Sequence, residues 1–140
     1  MLIADTHVHV FTDDRKTYPQ IRDTARAGSI PTITEIGQTE WPLTTVERLI
    51  AQMDEAGVHV ATLVQAYFVY EYDNRYAIDV SAAHADRFTG VVVLDPLDPR
   101  SPDELSRMVE SGHVTGIRFM RGRLPESSLG KPATFPLWAR

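Results

Sequence analysis

Three runs of strand length that are apolar at nearly every residue, Val58 to Ala66, Arg87 to Leu94 and Val114 to Met120, alternate with stretches whose apolar residues recur at helical spacing. Continuous apolarity marks strands covered on both faces, the condition of a parallel sheet wrapped by its own crossover helices. Between Met1 to Val10, a further candidate strand, and the first run, Val46, Leu49, Ile50 and Met53 form one helical stripe. Thr44-Thr45-Val46-Glu47 reads as a capping box with the Thr44 hydroxyl at the helix start, and Gly57 stands where a left-handed cap belongs. A second helix is expected from Asp73-Asn74 through Ala77, Val80, Ser81 and His84. A third opens at Ser101-Pro102-Asp103-Glu104, again a capping box with proline at the first helical position, and stops at Gly112.

The order strand, helix, strand, helix, strand, helix, strand predicts an α/β fold with parallel strands, either a doubly wound sheet or a (β/α)8 barrel. No Gly-x-Gly-x-x-Gly or P-loop follows any strand, which weighs against the nucleotide-binding version. A whole barrel takes about 250 residues. The 140 residues, read as one domain over 1–140, therefore amount to the N-terminal half of a TIM-type barrel. Such a half exposes two strand edges and one sheet face, so an interrupted reading frame, a fragment, or a homo-oligomer completing or covering the half-barrel is expected.

Composition removes several function classes. A net charge of -5 gives no basic surface for nucleic acid or an anionic membrane. With no cysteine there is no disulfide, thiolate metal site or cysteine nucleophile. No apolar stretch approaches the roughly 18 residues of a membrane span, and Asp5, His7 and His9 interrupt the N-terminal apolar residues that a signal peptide would need. A cytoplasmic protein is expected.

In parallel α/β folds, chemistry collects at the carboxyl ends of strands. His7 and His9 occupy that end of the first strand, Gln65 and Ala66 that of the second, Asp95 of the third, and Arg118 to Arg121 of the fourth. With strict two-residue alternation, Ile3, Asp5, His7 and His9 share one face, and Leu2, Ala4, Thr6, Val8 and Val10 the other. Two neutral imidazoles on one face suit a divalent ion, with Asp5 able to orient a ligating ring from behind. A catalytic zinc site normally has three protein ligands and an open position, so further ligands must come from elsewhere. Arg118, on a strand expected to be buried, needs a carboxylate, either a substrate's or a structural one such as Asp95. Gln65 and Tyr67 are candidates to hydrogen-bond a ligand or simply to pack. His59 and His113 lie at the opposite pole, His84 on a helix, and Arg121 and Arg123 on a loop where a solvated role is favoured. The polar stretch from Phe11 to Pro42 is long for a connection and reads either as a functional loop over a site, the favoured expectation, or as a tolerated insertion.

Asp5-Thr6-His7-Val8-His9-Val10-Phe11, Leu63-Val64-Gln65, Asp73-Asn74-Arg75-Tyr76 and Gly116-Ile117-Arg118-Phe119 together resemble the amidohydrolase superfamily. The likeness is greatest to the branch with 2-pyrone-4,6-dicarboxylate lactonase, sugar-lactone hydrolases and decarboxylases of the aminocarboxymuconate-semialdehyde type. It implies a distorted (β/α)8 barrel with His7 and His9 as catalytic first-strand histidines. In metal-dependent members such a pair holds a divalent ion, zinc most often. In the dicarboxylate lactonases the pair works without metal, and arginines hold the substrate carboxylates. The resemblance thus implies a hydrolase for a lactone or related carboxylate-bearing ring; Arg118 is the candidate to clamp a substrate carboxylate, and Gln65 and Tyr67 are the further candidate substrate contacts by their position. A metal-dependent decarboxylase and a non-catalytic fragment are the alternatives. The family takes further histidines from later strands and an aspartate from the last strand, commonly as general base. None of those positions occurs in this sequence.

Overall fold

The computed structural model describes residues 1–20, 44–120 and 130–140. They form β1 (Ala4–Val8), α1 (Val46–Ala56), β2 (Val60–Val64), α2 (Tyr67–Tyr70), α3 (Arg75–Ala83), β3 (Phe88–Val93), α4 (Ser101–Glu110), β4 (Val114–Arg118), a 3-10 turn (Pro132–Thr134) and α5 (Phe135–Trp138). The four strands are all parallel and lie in the order β1-β2-β3-β4. A doubly wound sheet reverses its strand order at a switch point. Here each strand joins the next without reversal, the winding of the N-terminal half of a barrel.

The helices cover one face, as their stripes require. Val46, Leu49 and Met53 of α1 and Ala77 and Val80 of α3 form one core with Val8, Val10, Ala61, Leu63 and Phe88. Leu63 is wholly buried, whereas Ala4 to His7 on the edge strand β1 are exposed. α1 ends on Gly57 at φ 70°, a conformation that costs glycine little because it has no Cβ.

Both expected capping boxes shift. Thr45, not Thr44, caps α1, its hydroxyl accepting the Arg48 N–H at 3.4 Å. Ser101 lies inside α4, and its hydroxyl donates to the Asp95 carbonyl at 2.6 Å. Asn74 stands before α3 without capping it, because its side chain is engaged with β3. α2, one turn within the aromatic stretch, was not foreseen as a helix. Of the expected loop from Phe11 to Pro42, residues 21–42 lie outside the described residues, as do 121–129 with Arg121 and Arg123. The stem of the first loop is closed, since the Phe11 N–H donates to the Thr44 carbonyl at 3.0 Å. Among the described residues no helix is long and apolar enough to cross a membrane.

Candidate active site

Two β-bulges, one in each edge strand, aim the polar residues. Asp5 pairs with Ala61 and Val8 with Leu63, so three steps along β1 match two along β2. An extra residue turns everything beyond it by one face. His7 and His9 thereby face away from the helices, while Asp5 falls in the row of Ala61, Leu63 and Val8. This corrects the expected single row of Asp5, His7 and His9. The Asp5 carboxylate does not orient an imidazole; it accepts the His7 backbone N–H at 2.9 Å, satisfying an amide within the bulge.

In β4, Val114 pairs with Gly90 but Gly116 with Val91, leaving Thr115 as the additional residue. Arg118 consequently sits opposite Val93, in the row of Val91, on the histidines' side of the sheet. Without that bulge the guanidinium would start from the helix face. Thr89 and Thr115 link their hydroxyls at 2.7 Å across the two strands.

The Nε2 atoms of His7 and His9 lie 3.2 Å apart, with the rings nearly perpendicular at 88°. His9 Nδ1 is 2.6 Å from the Val64 carbonyl oxygen. An oxygen there can only accept, so the proton belongs on Nδ1 and the Nε2 lone pair is directed toward His7. Two nitrogens about 2.1 Å from one tetrahedral ion stand about 3.4 Å apart, close to the separation found. The pair fits two corners of a divalent-metal site. Among the described residues no third histidine, cysteine, aspartate or glutamate joins them. Burial pushes the His9 pKa below its usual value, the Val64 carbonyl opposing and the charges of His7 and Arg118 assisting. A neutral His9 is the form that binds a cation.

Phe68, in the middle of α2, stands edge-on to His9 with ring centres 5.7 Å apart, and Phe11 lies 5.8 Å beyond it. An aromatic wall thus flanks the histidines. Arg118 forms no ion pair among the described residues, and the Asp95 carboxylate is taken by the Leu97 N–H at 2.9 Å. Gln65, 1 % exposed, donates both amide hydrogens within the fold, to the Glu71 carbonyl at 2.8 Å and the Asp73 carbonyl at 3.0 Å. Tyr67 is buried and packs edge-on against Tyr72 at 5.2 Å. His59 joins β1 to β2 through its backbone, donating to the Ile3 carbonyl at 2.9 Å, at the pole away from the site.

The sequence left three contributors without a role. The Val64 carbonyl carries no side-chain signal. Phe68 stood out only as part of an aromatic run. Asn74 was visible as a helix start and as part of a family motif, with no role of its own.

An open parallel sheet wound like half a barrel, with a histidine pair at the carboxyl end of its first strand, places the chain among the α/β-barrel folds. The chain belongs to the amidohydrolase family, whose model matches residues 4–140. None of the curated proteins matches it. Among solved structures it is similar to a probable 2-pyrone-4,6-dicarboxylic acid hydrolase from Acinetobacter baumannii with citric acid bound, at 23% identity and a TM-score of 0.69, over 98% of this chain and 44% of that one. It is also similar to 5-carboxyvanillate decarboxylase from Novosphingobium aromaticivorans, complexed with manganese and a nitrobenzoic acid, at 21% identity and a TM-score of 0.66, over 99% and 46%. A dihydroxybenzoic acid decarboxylase from Polaromonas, with manganese and 2-nitroresorcinol, matches at 19% identity and a TM-score of 0.64, over 99% and 45%. The chain spans less than half the length of each of these proteins.

Proposed function

We propose that this chain supplies the first-strand part of a hydrolase site for a lactone or related carboxylate-bearing ring, with His7 and His9 as ligands of a divalent ion. One observation carries this reading: the two Nε2 atoms converge at 3.2 Å while the Val64 carbonyl holds His9 in the metal-binding tautomer. A divalent ion bound there acts as a Lewis acid toward a carbonyl oxygen. Zinc is the expectation from the family resemblance and the better match to two imidazoles, whereas manganese, the ion in two similar structures, binds imidazole more weakly and favours oxygen ligands.

The remaining roles belong to the chain's own residues. Arg118, free of an ion pair among the described residues and turned to the histidine face, holds a substrate carboxylate. Phe68 gives a planar ring an apolar surface beside His9. Gln65 and Tyr67 serve as the frame of that wall rather than as direct substrate contacts. The open edges of β1 and β4 fit a partner half, a second copy of the chain included, and light scattering in solution reads that association.

Decarboxylation is the second reading, favoured by the manganese-containing decarboxylases of similar fold. The carboxylate would then be the leaving group, and Arg118 would bind elsewhere on the ring.

The test offers the metal-loaded protein a cyclic ester dicarboxylate and a dihydroxybenzoate, following ring opening and carbon dioxide release. Ring opening that disappears in His7→Asn and His9→Asn supports the hydrolase, and release of carbon dioxide supports the second reading. Ring opening that survives a chelator points to metal-free catalysis. Turnover that persists without either histidine contradicts the proposal, and no turnover of either kind marks the chain as non-catalytic by itself.

A further inference from the structure

The one-turn helix α2 is too short to hold itself in place, because a helix of that length does not recover its nucleation cost. It ends at Glu71, whose φ of 48° and ψ of −115° are avoided by residues carrying a Cβ. The surroundings hold this backbone from both sides. The Glu71 N–H donates to the Tyr67 carbonyl at 2.7 Å, and its carbonyl accepts from Gln65 Nε2 at 2.8 Å. The same nitrogen bonds the Asp73 carbonyl, while Gln65 Oε1 is buried without a partner. An amide kept in a buried position with one end unsatisfied is there for the other end, since a leucine of similar size would pack without that penalty. One residue past Asp73, Asn74 bonds both backbone groups of Val93.

We propose that Gln65 and the strained backbone of Glu71 form a positioning device that seats the Phe68 ring edge-on beside His9, setting the wall against which a planar substrate ring lies. The device spans the loop between β2 and α3. Its base is the residue that follows Val64, whose carbonyl orients His9, so the wall and the histidine are registered on the same strand end. Strain held by neighbouring groups is common where a segment contacts a ligand. The substrate-facing meaning of the wall rests on the function proposed above, whereas the placement of the ring does not.

Proton NMR of the His9 ring tests the device, because a neighbouring aromatic ring displaces those resonances. Comparison of the wild-type chain with Phe68→Leu defines the displacement due to Phe68. Gln65→Leu is expected to lose most of it. Glu71→Gly alone is expected to keep it and to raise the thermal midpoint, since glycine adopts the Glu71 conformation without strain. The double variant is expected to regain part of what Gln65→Leu loses, a rescue that loss of packing alone would not give. A full displacement in Gln65→Leu, a lowered midpoint in Glu71→Gly, absence of rescue, or no difference between wild type and Phe68→Leu would each overturn the proposal. If Gln65→Leu does not fold, the midpoint of Glu71→Gly decides. Failure of the wild-type chain to take up a divalent ion would sink the proposed function and leave these shifts unchanged.

Discussion

Replacing Asn74 with alanine should destabilise the fold far more than loss of a helix cap. The Asn74 side chain accepts the Val93 N–H at 2.8 Å, donates to the Val93 carbonyl at 2.9 Å and donates to the Tyr72 carbonyl at 3.0 Å. Asn74 is 3% exposed and Val93 wholly buried, so water cannot easily take over the two Val93 groups. Each buried polar group left without a partner costs about 1–3 kcal/mol. Counting only the two on Val93, the loss comes to about 2–6 kcal/mol, a large part of a typical domain stability of about 5–15 kcal/mol. A residue acting only as an N-cap would cost about 1 kcal/mol. Urea unfolding of wild type and Asn74→Ala, with matched slopes, separates the two magnitudes. Asn74→Asp tests direction as well, because it retains the acceptor for the Val93 N–H but turns a carboxylate oxygen toward the Val93 carbonyl. A loss near 1 kcal/mol in Asn74→Ala, together with a neutral Asn74→Asp, would refute the clamp.

Other expected outcomes follow from particular contacts. A Cβ on Gly90 would lie 3.0 Å from the His113 carbonyl oxygen and 3.2 Å from Ser81 Oγ. Gly90→Ala should therefore lower stability by about 1–3 kcal/mol in thermal melts, whereas a neutral effect would mean that β3 and β4 are less closely apposed. Burial depresses the His9 pKa, so the folded state binds fewer protons than the unfolded state below the unfolded value of about 6.5. Stability should consequently fall as pH drops from about 6.5 through the folded pKa, and His9→Gln should flatten that slope in urea midpoints measured across the range. Tyr18 donates to Asp79 at 2.7 Å and its pKa is pushed up to about 12, as is that of the half-buried Tyr76. Tyrosinate absorbance should show these two ionising well above the ordinary value near 10, and simultaneous titration of all the tyrosines would contradict the contacts.

The architecture was legible because it rests on local patterns. Continuous apolar runs and helical stripes specified parallel strands, α1, α3 and α4, and Gly57 announced its own cap. The pole that carries the candidate site could also be proposed from the sequence, since His7 and His9 stand at the carboxyl end of an otherwise apolar or β-branched row, and the structure brings the two rings together there. What could not be read depends on partners distant in sequence. A β-bulge is a relation between two strands, so nothing in Asp5 to Val8 or in Val114 to Arg118 alone reveals that one residue is extra. That is why Asp5 was assigned to the wrong row, and why the turning of Arg118 toward the histidines had no visible cause. The caps shifted for a related reason. Ser101 and Asn74 have good capping side chains, but nearby carbonyl and amide groups of Asp95 and Val93 compete for them. Gln65 was noticed as a polar exception at a strand end, and its partners proved to be the backbone of the next turn.

Manganese titration of the chain, followed by electron paramagnetic resonance and repeated with zinc as competitor, tests the histidine pair most directly. One ion held per site in the wild-type protein, released by zinc and lost in both His7→Asn and His9→Asn, is the predicted result. Equal uptake in a variant lacking both histidines would contradict it.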